Sequence, residues 1–405
     1  MMLPIIHILF FIICVYLSLN VIYLLVLSLA GLPAQKKTFA THPVKKRIAV
    51  LITTYMEDKV IEATVASATR HDYPTAYFDV YVAAHRLQPE TLAMLRRHSA
   101  QIMEVDFSSG SKARSLNFLL NRIDREKYDI ALILDGDNIM EAGVLEKINA
   151  AFQRNCRAVQ AHRTAKNLDT PVAILDAMSE EINNHLFRRA PNNLGLSASL
   201  IGSGMAFEFN RLKDIYNKPG IIDNPACDRE VDFEIMKAGI RVAYLNDAIV
   251  LDEKVPTGNV YEKQRRRWLE SQLMHLGLFF SASGRSAGKT TDFWNKLFVN
   301  LMLPRVLLSV LLVAVLAVSL IEHFTHVNIT NVSLRYWITL FLILVAAMLL
   351  ALPQRYYNGR TARALLHLPI IVFTFIRAAL TMRRNRKEFA HTPKSFTENS
   401  EATGK

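Results

Sequence analysis

The sequence predicts an α/β fold, a mostly parallel sheet with helices on both faces, between membrane-associated segments at each end of the chain. Between residues 48 and 134, short apolar segments alternate with helix-like ones, which is typical of a parallel sheet covered by helices. Long apolar runs flank this region, residues 3–30 before it and two more beyond residue 297, in a chain that is 51% hydrophobic. About 20 apolar residues suffice to cross a bilayer.

The individual elements follow from these apolar patterns. The first run has no preceding Lys or Arg and is too long for the core of a signal peptide, so it predicts a transmembrane helix. In the polar region we predict strands at 48–53, 78–83, 102–105, 130–134 and 242–251, and helices at 60–69, 89–98 and 112–123. Near the C-terminus we predict membrane spans at 306–321 and 336–352, and an interfacial or re-entrant helix at 364–380 that does not cross.

Four regions result. They are an N-terminal transmembrane helix (1–34), a cytosolic α/β domain that ends in an interfacial helix (35–280), C-terminal transmembrane or interfacial helices (281–382) and a basic cytosolic tail (383–405).

The charge of +12 is concentrated beside the apolar runs. This distribution fits the positive-inside rule and an anionic membrane face. Basic and aromatic residues are not interleaved as nucleic-acid binding would require, so we expect no nucleic-acid partner. The three cysteines, Cys14, Cys156 and Cys227, show neither zinc spacing nor a disulfide framework, which fits a reducing cytosolic side.

Asp135-Gly136-Asp137 directly follows the apolar strand 130–134. Ligands of open α/β sheets bind at the carboxyl ends of the strands. Carboxylates suit Mg²⁺ or Mn²⁺, which usually also hold substrate phosphates. We therefore predict Asp135 and Asp137 as metal ligands, although such a tripeptide is often only a turn.

Two further loops could bind a nucleotide. Thr54, Tyr55 and Glu57 follow the first strand and could present backbone groups, a ring and a carboxylate to a base and ribose, or form an ordinary capped turn. The segment from Gly110 to Asn117 enters a helix, where free N–H groups and Lys112 suit phosphate. The alternative for this segment is a capped helix with solvated basic residues.

Two helical segments carry the remaining candidates. Asp228 and Asp232 are four residues apart and share a helix face, so a carboxylate there could accept a proton, or simply favour the helix dipole. Gln264, Arg267 and Trp268 also share a face, where Arg could grip a pyrophosphate and Trp could stack on a sugar. The alternative is a basic interfacial helix with a belt tryptophan.

In order and spacing these motifs resemble the membrane-integrated family-2 glycosyltransferases with a GT-A fold, over residues 47–278. That family includes cellulose, hyaluronan, chitin and poly-N-acetylglucosamine synthases and ceramide glucosyltransferases. Asp135-Gly136-Asp137 is similar to its D-x-D motif, Gly202-Ser203-Gly204 to its acceptor-site segment, Asp232 to its base motif, and Gln264, Arg267 and Trp268 to Q-x-x-R-W. Thr392-Pro393 is similar to a Thr-Pro near the end of many members.

The resemblance implies a metal at Asp137 and Asp135, with Mg²⁺ or Mn²⁺ as cofactor, and Asp232 as the catalytic base. It implies a nucleotide-sugar site that includes Thr54, Tyr55, Glu57, Lys112, Asn117 and Asp135, and an acceptor and diphosphate site of Gly204, Gln264, Arg267 and Trp268. The sequence departs from the pattern in four places. Thr53 and Met56 replace Pro and Asn after the first strand, Ala84-His85 stands where an Asp usually contacts the base, and Val231 replaces the usual Glu beside Asp232.

The implied activity is an inverting glycosyltransferase. It would move a hexose or N-acetylhexosamine from a nucleoside-diphosphate sugar, a UDP-sugar in most of the family, to a growing polysaccharide or glycan with a β-linkage. One alternative is a single-transfer lipid glycosyltransferase; another is a non-catalytic membrane scaffold with a degenerate transferase domain. A polymer product would further imply a homo-oligomer or an accessory export protein, because two or three helices make a thin channel. The expected location is a bacterial inner membrane or plasma membrane, with the catalytic domain cytosolic.

Overall fold

The computed structural model describes residues 2–33, 39, 41–108, 110–224, 226–326, 330–382 and 394. Within this part of the chain one eight-stranded sheet forms the core, in the order β3-β2-β1-β4-β7-β6-β8-β5. Its strands are β1 (Ile48–Tyr55), β2 (Phe78–His85), β3 (Ala100–Val105), β4 (Ile130–Asp135), β5 (Ile139–Met140), β6 (Ala158–Ala165), β7 (Met205–Glu208) and β8 (Val242–Asp252).

The sheet is mostly parallel, as the sequence predicts. The parallel block β3-β2-β1-β4 is joined to the parallel pair β6-β8 through β7, which is antiparallel to both of its neighbours, and β5 is antiparallel to β8. The centre of β1, Ile48–Ile52, is completely buried. Apolar side chains cover both faces of the sheet, because helices pack on each side.

Sixteen α-helices surround or follow the sheet in the described residues. They are α1 (Met2–Gly31), α2 (Ile61–Thr69), α3 (Pro89–Leu95), α4 (Lys112–Arg122), α5 (Val144–Gln153), α6 (Pro171–Asn184), α7 (Ala190–Asn193), α8 (Phe209–Tyr216), α9 (Cys227–Lys237), α10 (Gly258–Phe280), α11 (Ala282–Ser286), α12 (Thr291–Leu301), α13 (Arg305–Thr325), α14 (Leu334–Ala351), α15 (Gly359–Leu365) and α16 (Leu368–Leu380). A π-helical turn, His185–Arg189, joins α6 to α7.

Three of these helices, α1, α13 and α14, are long and apolar enough to cross a membrane. The helix predicted at 364–380 is instead a pair, α15 and α16, bent by 47° at a short break. Such a pair fits either a broken span or a re-entrant segment, so the predicted non-crossing helix stays a prediction. Of the predicted basic tail, including Thr392-Pro393, all but Lys394 lies outside the described residues.

The N-terminal helix is fixed to the domain at its C-terminal end. The Ser28 hydroxyl donates to the Ala347 carbonyl of α14 at 2.7 Å, and the Ser28 carbonyl accepts from the His185 ring at 2.8 Å. Asn193 of α7 donates to the Ala30 carbonyl at 2.9 Å. These bonds connect a candidate membrane helix directly to the helices that support the sheet.

Gly31 is the tightest point of this junction. A Cβ atom on Gly31 would clash with the His185 ring, lying 2.6 Å from Cδ2. We expect Gly31→Ala to destabilise the protein by about 1–3 kcal/mol, the usual cost of overpacking. Thermal unfolding in detergent should show a lower midpoint than wild type, whereas Leu29→Ala, at a half-exposed position of the same helix, should change it little. Equal midpoints for the two variants would contradict this packing.

Candidate functional site

The carboxyl ends of β1 and β4 bring the two predicted acidic loops together. The register pairs Thr53 with Asp135, so the loops that follow them are neighbours. Gly136 allows their close approach, because a Cβ atom there would lie 2.9 Å from Thr54 Cβ and would clash with the Glu57 carboxylate. The Thr64 hydroxyl of α2 donates to the Gly136 carbonyl at 2.9 Å and fixes the turn.

Asp137 is buried and accepts hydrogen bonds on both carboxylate oxygens. Its Oδ2 accepts from the Lys394 ammonium at 2.8 Å and from the Glu253 amide at 3.3 Å, and its Oδ1 accepts from the Asn138 side chain at 3.3 Å. Lys394 also donates to the Glu253 carbonyl at 2.9 Å. The Asp137 carboxylate and the Glu253 carbonyl therefore both bind the Lys394 ammonium. Lys394 was not predicted as a site residue, because the only sequence feature that marks it is its position directly after Thr392-Pro393.

Asp135 is bound by Lys112 from the start of α4. The Lys112 ammonium forms an ion pair with Asp135 Oδ1 and donates to the Gly202 carbonyl at 2.6 Å. Burial opposes the charge of Lys112, but Asp135 outweighs it and raises the pKa of the ammonium. The Asp135 amide donates to the Ser203 hydroxyl at 3.0 Å. The predicted phosphate-binding lysine is thus at the sheet edge and tied to a predicted metal ligand.

Glu57 lies beside both aspartates. Burial and repulsion from Asp137 raise the pKa of Glu57 to about 8, while Lys394 lowers it. A cation at this point would relieve that repulsion, and carboxylate oxygens are the donors that Mg²⁺ and Mn²⁺ prefer. In the described residues no three His, Cys, Asp or Glu side chains form a complete metal site. The residues present therefore fit an ion that takes one or two protein carboxylates and completes its shell with substrate phosphate.

The two candidate bases occupy different positions on α9. Asp228 lies beside the Gly202 loop, where a Cβ atom on Gly202 would be 3.5 Å from Asp228 Oδ2 and 3.6 Å from Lys112 Nζ. Asp232 lies one turn further along α9 and accepts a hydrogen bond from Lys296 of α12 at 2.6 Å, in a mostly buried ion pair. Lys296 had no signal in the sequence. Asp228 therefore lies beside Gly202 and Lys112, whereas Asp232, the base predicted from the sequence, is bound to Lys296.

The predicted helical triad of α10 lines the same cavity as these carboxylates. The Gln264 side-chain oxygen is buried and has no hydrogen-bond partner among the described residues. Burial lowers the pKa of Arg267, and Asp228 and then Asp135 act in the opposite direction. The Trp268 ring packs 4.0 Å from the Arg265 guanidinium. This arrangement leaves the Gln264 oxygen available to a ligand.

Two predicted residues lie elsewhere. The Asn117 side chain donates to the Tyr216 carbonyl and to Asn217 Oδ1, both at 2.9 Å, so it joins α4 to α8 instead of facing the cavity. Gly204 accepts at its carbonyl from the Ala161 amide at 2.7 Å and packs within the sheet, whereas Gly202 lines the cavity. Asn117 has the right spacing for the site, but its direction depends on α8, which the sequence pattern did not predict.

The base-contact position is also altered. Tyr55 lines the cavity, and its ring lies 4.7 Å from the buried His85 ring. His85 faces the backbone of Phe107, with its Nε2 3.2 Å from the amide and 3.1 Å from the carbonyl. His85 thus packs against Tyr55. It stands at the position where the family pattern usually has an Asp.

A buried ionic cluster, which the sequence did not predict, forms the floor of the cavity. Arg163 Nε binds Glu180 at 2.7 Å, and Lys254 binds Asp252 at 2.7 Å and pairs with Glu180. Burial opposes ionisation of Asp252, but Arg163 and Lys254 outweigh it and lower its pKa. Asn138, next to Asp137, donates to Asp252 at 3.2 Å. Through this bond to Asn138, the cluster therefore fixes the turn at Asp135-Gly136-Asp137.

Most of the predicted site residues line one cavity of about 1640 Å³, among them Glu57, Lys112, Asp135, Asp137, Asp228 and Arg267. Its first part, at the sheet edge, is lined by charged residues. Its other part runs between α10, α13, α14 and α16 and is lined largely by aliphatic and aromatic side chains. The site thus joins a charged region to an apolar one.

Comparison with solved structures supports the fold. A mannosyltransferase from Pyrobaculum calidifontis, PcManGT, solved with GDP-Man and Mn²⁺, is 18% identical, with coverage of 93% of this chain and 98% of that one, at a TM-score of 0.53. Staphylococcus aureus TarS (residues 1–349) is 14% identical over 83% of this chain and 90% of that one, at a TM-score of 0.41. At such identities the likeness concerns the fold alone.

Comparison of sequences gives the family. No curated protein matches this chain at a significant level. The model of the family "Glycosyltransferase like family 2" matches residues 45–271, more than half of the chain, and this range contains β1 to β8 and most of α10. The chain therefore belongs to glycosyltransferase family 2 and is a glycosyltransferase with a GT-A fold.

Proposed function

We propose that the chain is an inverting glycosyltransferase that moves a hexose or N-acetylhexosamine from a nucleoside-diphosphate sugar to an acceptor hydroxyl, with a β-linked product. One observation carries the proposal: Asp137, a buried carboxylate that binds the Lys394 ammonium, and Asp228, a carboxylate suited to accept a proton, line one cavity. A UDP-sugar is the first donor to test. A GDP-sugar is the second, because His85 replaces the usual base contact and PcManGT was solved with GDP-Man.

Asp137 and Glu57 would hold the metal, with Asp135 beside them. A bound Mg²⁺ or Mn²⁺ would neutralise charge on the leaving diphosphate. PcManGT was solved with Mn²⁺, which supports testing this ion first. Lys112 and Lys394 already place two ammonium groups against Asp135 and Asp137. Their charges would also favour a diphosphate at this edge, and Arg267 can bind its oxygens in a bidentate manner.

The geometry supports Asp228 rather than Asp232 as the general base. Asp232 is in direct contact with the Lys296 ammonium at 2.6 Å, and such an ion pair makes a carboxylate a weaker proton acceptor. Lys112 and Arg267 also lie near Asp228, but within the described residues neither forms an ion pair with it. Asp228 lies beside Gly202 and Lys112, next to the expected position of the donor. Asp228 would take the proton of the acceptor hydroxyl as its oxygen attacks the anomeric carbon. The nucleoside diphosphate would leave from the opposite face, which inverts the configuration.

The non-catalytic scaffold is less well supported. Its basis was the missing Asp at the base contact, but Tyr55 still lines the cavity, Asp137 is buried, and Asp135 and Asp137 are each paired with a lysine. We also propose that the catalytic domain lies on the cytosolic side of a bacterial inner membrane or plasma membrane, where sugar nucleotides are made.

The activity can be tested with the purified full chain in nanodiscs and a panel of radiolabelled nucleotide sugars. We expect sugar transfer with Mn²⁺ or Mg²⁺ and none after EDTA treatment. Asp137→Asn removes the charge that holds the cation and should lower turnover by about a hundredfold or more. Asp223→Asn, at an exposed position outside the cavity, is the matched control and should stay close to wild type. Full activity in EDTA would contradict the metal site.

The choice of base can be tested by two isosteric variants. Asp228→Asn should lower turnover by about 10²–10⁴-fold, because the amide cannot accept the proton. Donor binding should remain, since the cation-binding carboxylates are unchanged. Asp232→Asn should lose the Lys296 ion pair and some stability but retain more activity than Asp228→Asn. If Asp232→Asn were inactive and Asp228→Asn turned over like wild type, Asp232 would be the base.

A further inference from the structure

The apolar part of the cavity differs in its walls from the charged part at the sheet edge. It is a slot between α13, α14 and α16, and its walls include Val310 and Val313 of α13, Phe341 and Val345 of α14, and Leu368 and Val372 of α16. We call this part the apolar slot. It is continuous with the region that contains Asp228 and Trp268, so a single molecule can occupy both parts.

Part of the apolar slot is open to the surface of the molecule. Several of its wall residues are substantially exposed: Val313 is 49% exposed, Val345 38% and Leu368 44%. Two of the helices that carry them, α13 and α14, are long and apolar enough to cross a membrane. In a bilayer the opening would therefore face hydrocarbon, since exposed apolar side chains on such helices contact lipid tails.

Polar side chains also line this cavity. At the start of α13, Arg305 Nη2 donates to the Ser179 carbonyl at 2.9 Å and to the Asn183 side chain at 2.9 Å. Nearby, Arg265 of α10 pairs with Asp176 of α6, and both are buried. The cavity thus changes from aliphatic to charged along its length, which matches a molecule with a hydrocarbon end and a polar end.

A glycan chain fits the apolar slot poorly. Sugar hydroxyls need hydrogen-bond partners when they are buried, and an unsatisfied one is costly. Valine and leucine side chains offer none. A hydrocarbon chain has no such requirement and can enter from the bilayer through the lateral opening. Of the acceptors that the sequence leaves open, the walls therefore favour the lipid over the growing glycan.

We infer that the acceptor is a membrane lipid with a hydroxyl headgroup, whose hydrocarbon chain lies in the apolar slot while the hydroxyl reaches Asp228. This rests on the proposed transferase function. The headgroup O–H proton passes to Asp228, the oxygen forms a bond to the anomeric carbon, and the bond from that carbon to the diphosphate oxygen breaks. The nucleoside diphosphate leaves with the electron pair. A hydroxyl fits better than a phosphate headgroup, because a phosphate oxygen is already ionised and needs no base.

The acceptor class can be tested with the full chain in phosphatidylcholine vesicles, Mn²⁺ and radiolabelled donor. Three arms contain dioleoylglycerol, a polyprenyl phosphate, or soluble oligosaccharides without added acceptor lipid. We expect label in the organic phase in the dioleoylglycerol arm. Label only with the phosphate lipid would overturn the hydroxyl headgroup, and label only in water-soluble glycan would overturn the lipid class. No consumption of donor in any arm would instead count against the proposed transferase function.

The position of the chain can be tested by filling the slot. Val345→Trp should lower transfer to lipid by about tenfold or more, because a displaced tail misplaces the headgroup. Leu342→Trp, on the same helix at a 59% exposed position outside the cavity, is the control and should stay near wild type. Val313→Phe provides a milder filling if the Trp variant does not fold, which elution and thermal unfolding report. Undiminished lipid transfer in folded slot variants would overturn the assignment.

Discussion

The repulsion among three closely spaced carboxylates, one of them buried, at the carboxyl edge of the sheet constrains the rest of the site. Asp135, Asp137 and Glu57 lie together because β1 and β4 are neighbours in register and Gly136 leaves space for Glu57. Buried like charges are unfavourable unless cations compensate them. Lys112 and Lys394 supply that compensation here, and they reach the edge from α4 and from the C-terminal tail. The same need for positive charge suits the edge to a divalent ion with a nucleoside diphosphate.

The remaining elements position groups around this edge. The buried cluster of Arg163, Glu180, Asp252 and Lys254 supports the D-x-D turn through Asn138. From the opposite side, α9 and α10 add a carboxylate, an arginine and a tryptophan. The candidate membrane helices extend the cavity with apolar walls, and α1 is hydrogen-bonded to the same supporting helices. The chain therefore combines charge compensation at one end of the cavity with lipid-compatible walls at the other.

Much of the fold could be predicted, because apolar periodicity is strong where strands are fully buried. The strands predicted at 48–53, 78–83 and 130–134 begin where β1, β2 and β4 begin. The sequence pattern missed β5, β6 and β7. Strands β5 and β7 have two and four residues and are too short to show a period, whereas the eight residues of β6 include Gln160, His162 and Arg163, which interrupt its apolar pattern. For the site, D-x-D and Q-x-x-R-W were found by spacing. Lys296, Lys394 and the cluster at Arg163 were not, since each depends on contacts between residues far apart in the chain.

In the proposed mechanism, Asp137 is the residue through which a cation recruits the donor. Calorimetry of UDP and GDP binding to the purified chain, with and without Mn²⁺, tests this directly. We predict that at least one nucleotide binds about tenfold more tightly with Mn²⁺, because the ion bridges carboxylate and phosphate oxygens, and that Asp137→Asn abolishes this gain. Equal affinity with and without the metal, or an unchanged gain in Asp137→Asn, would contradict the account.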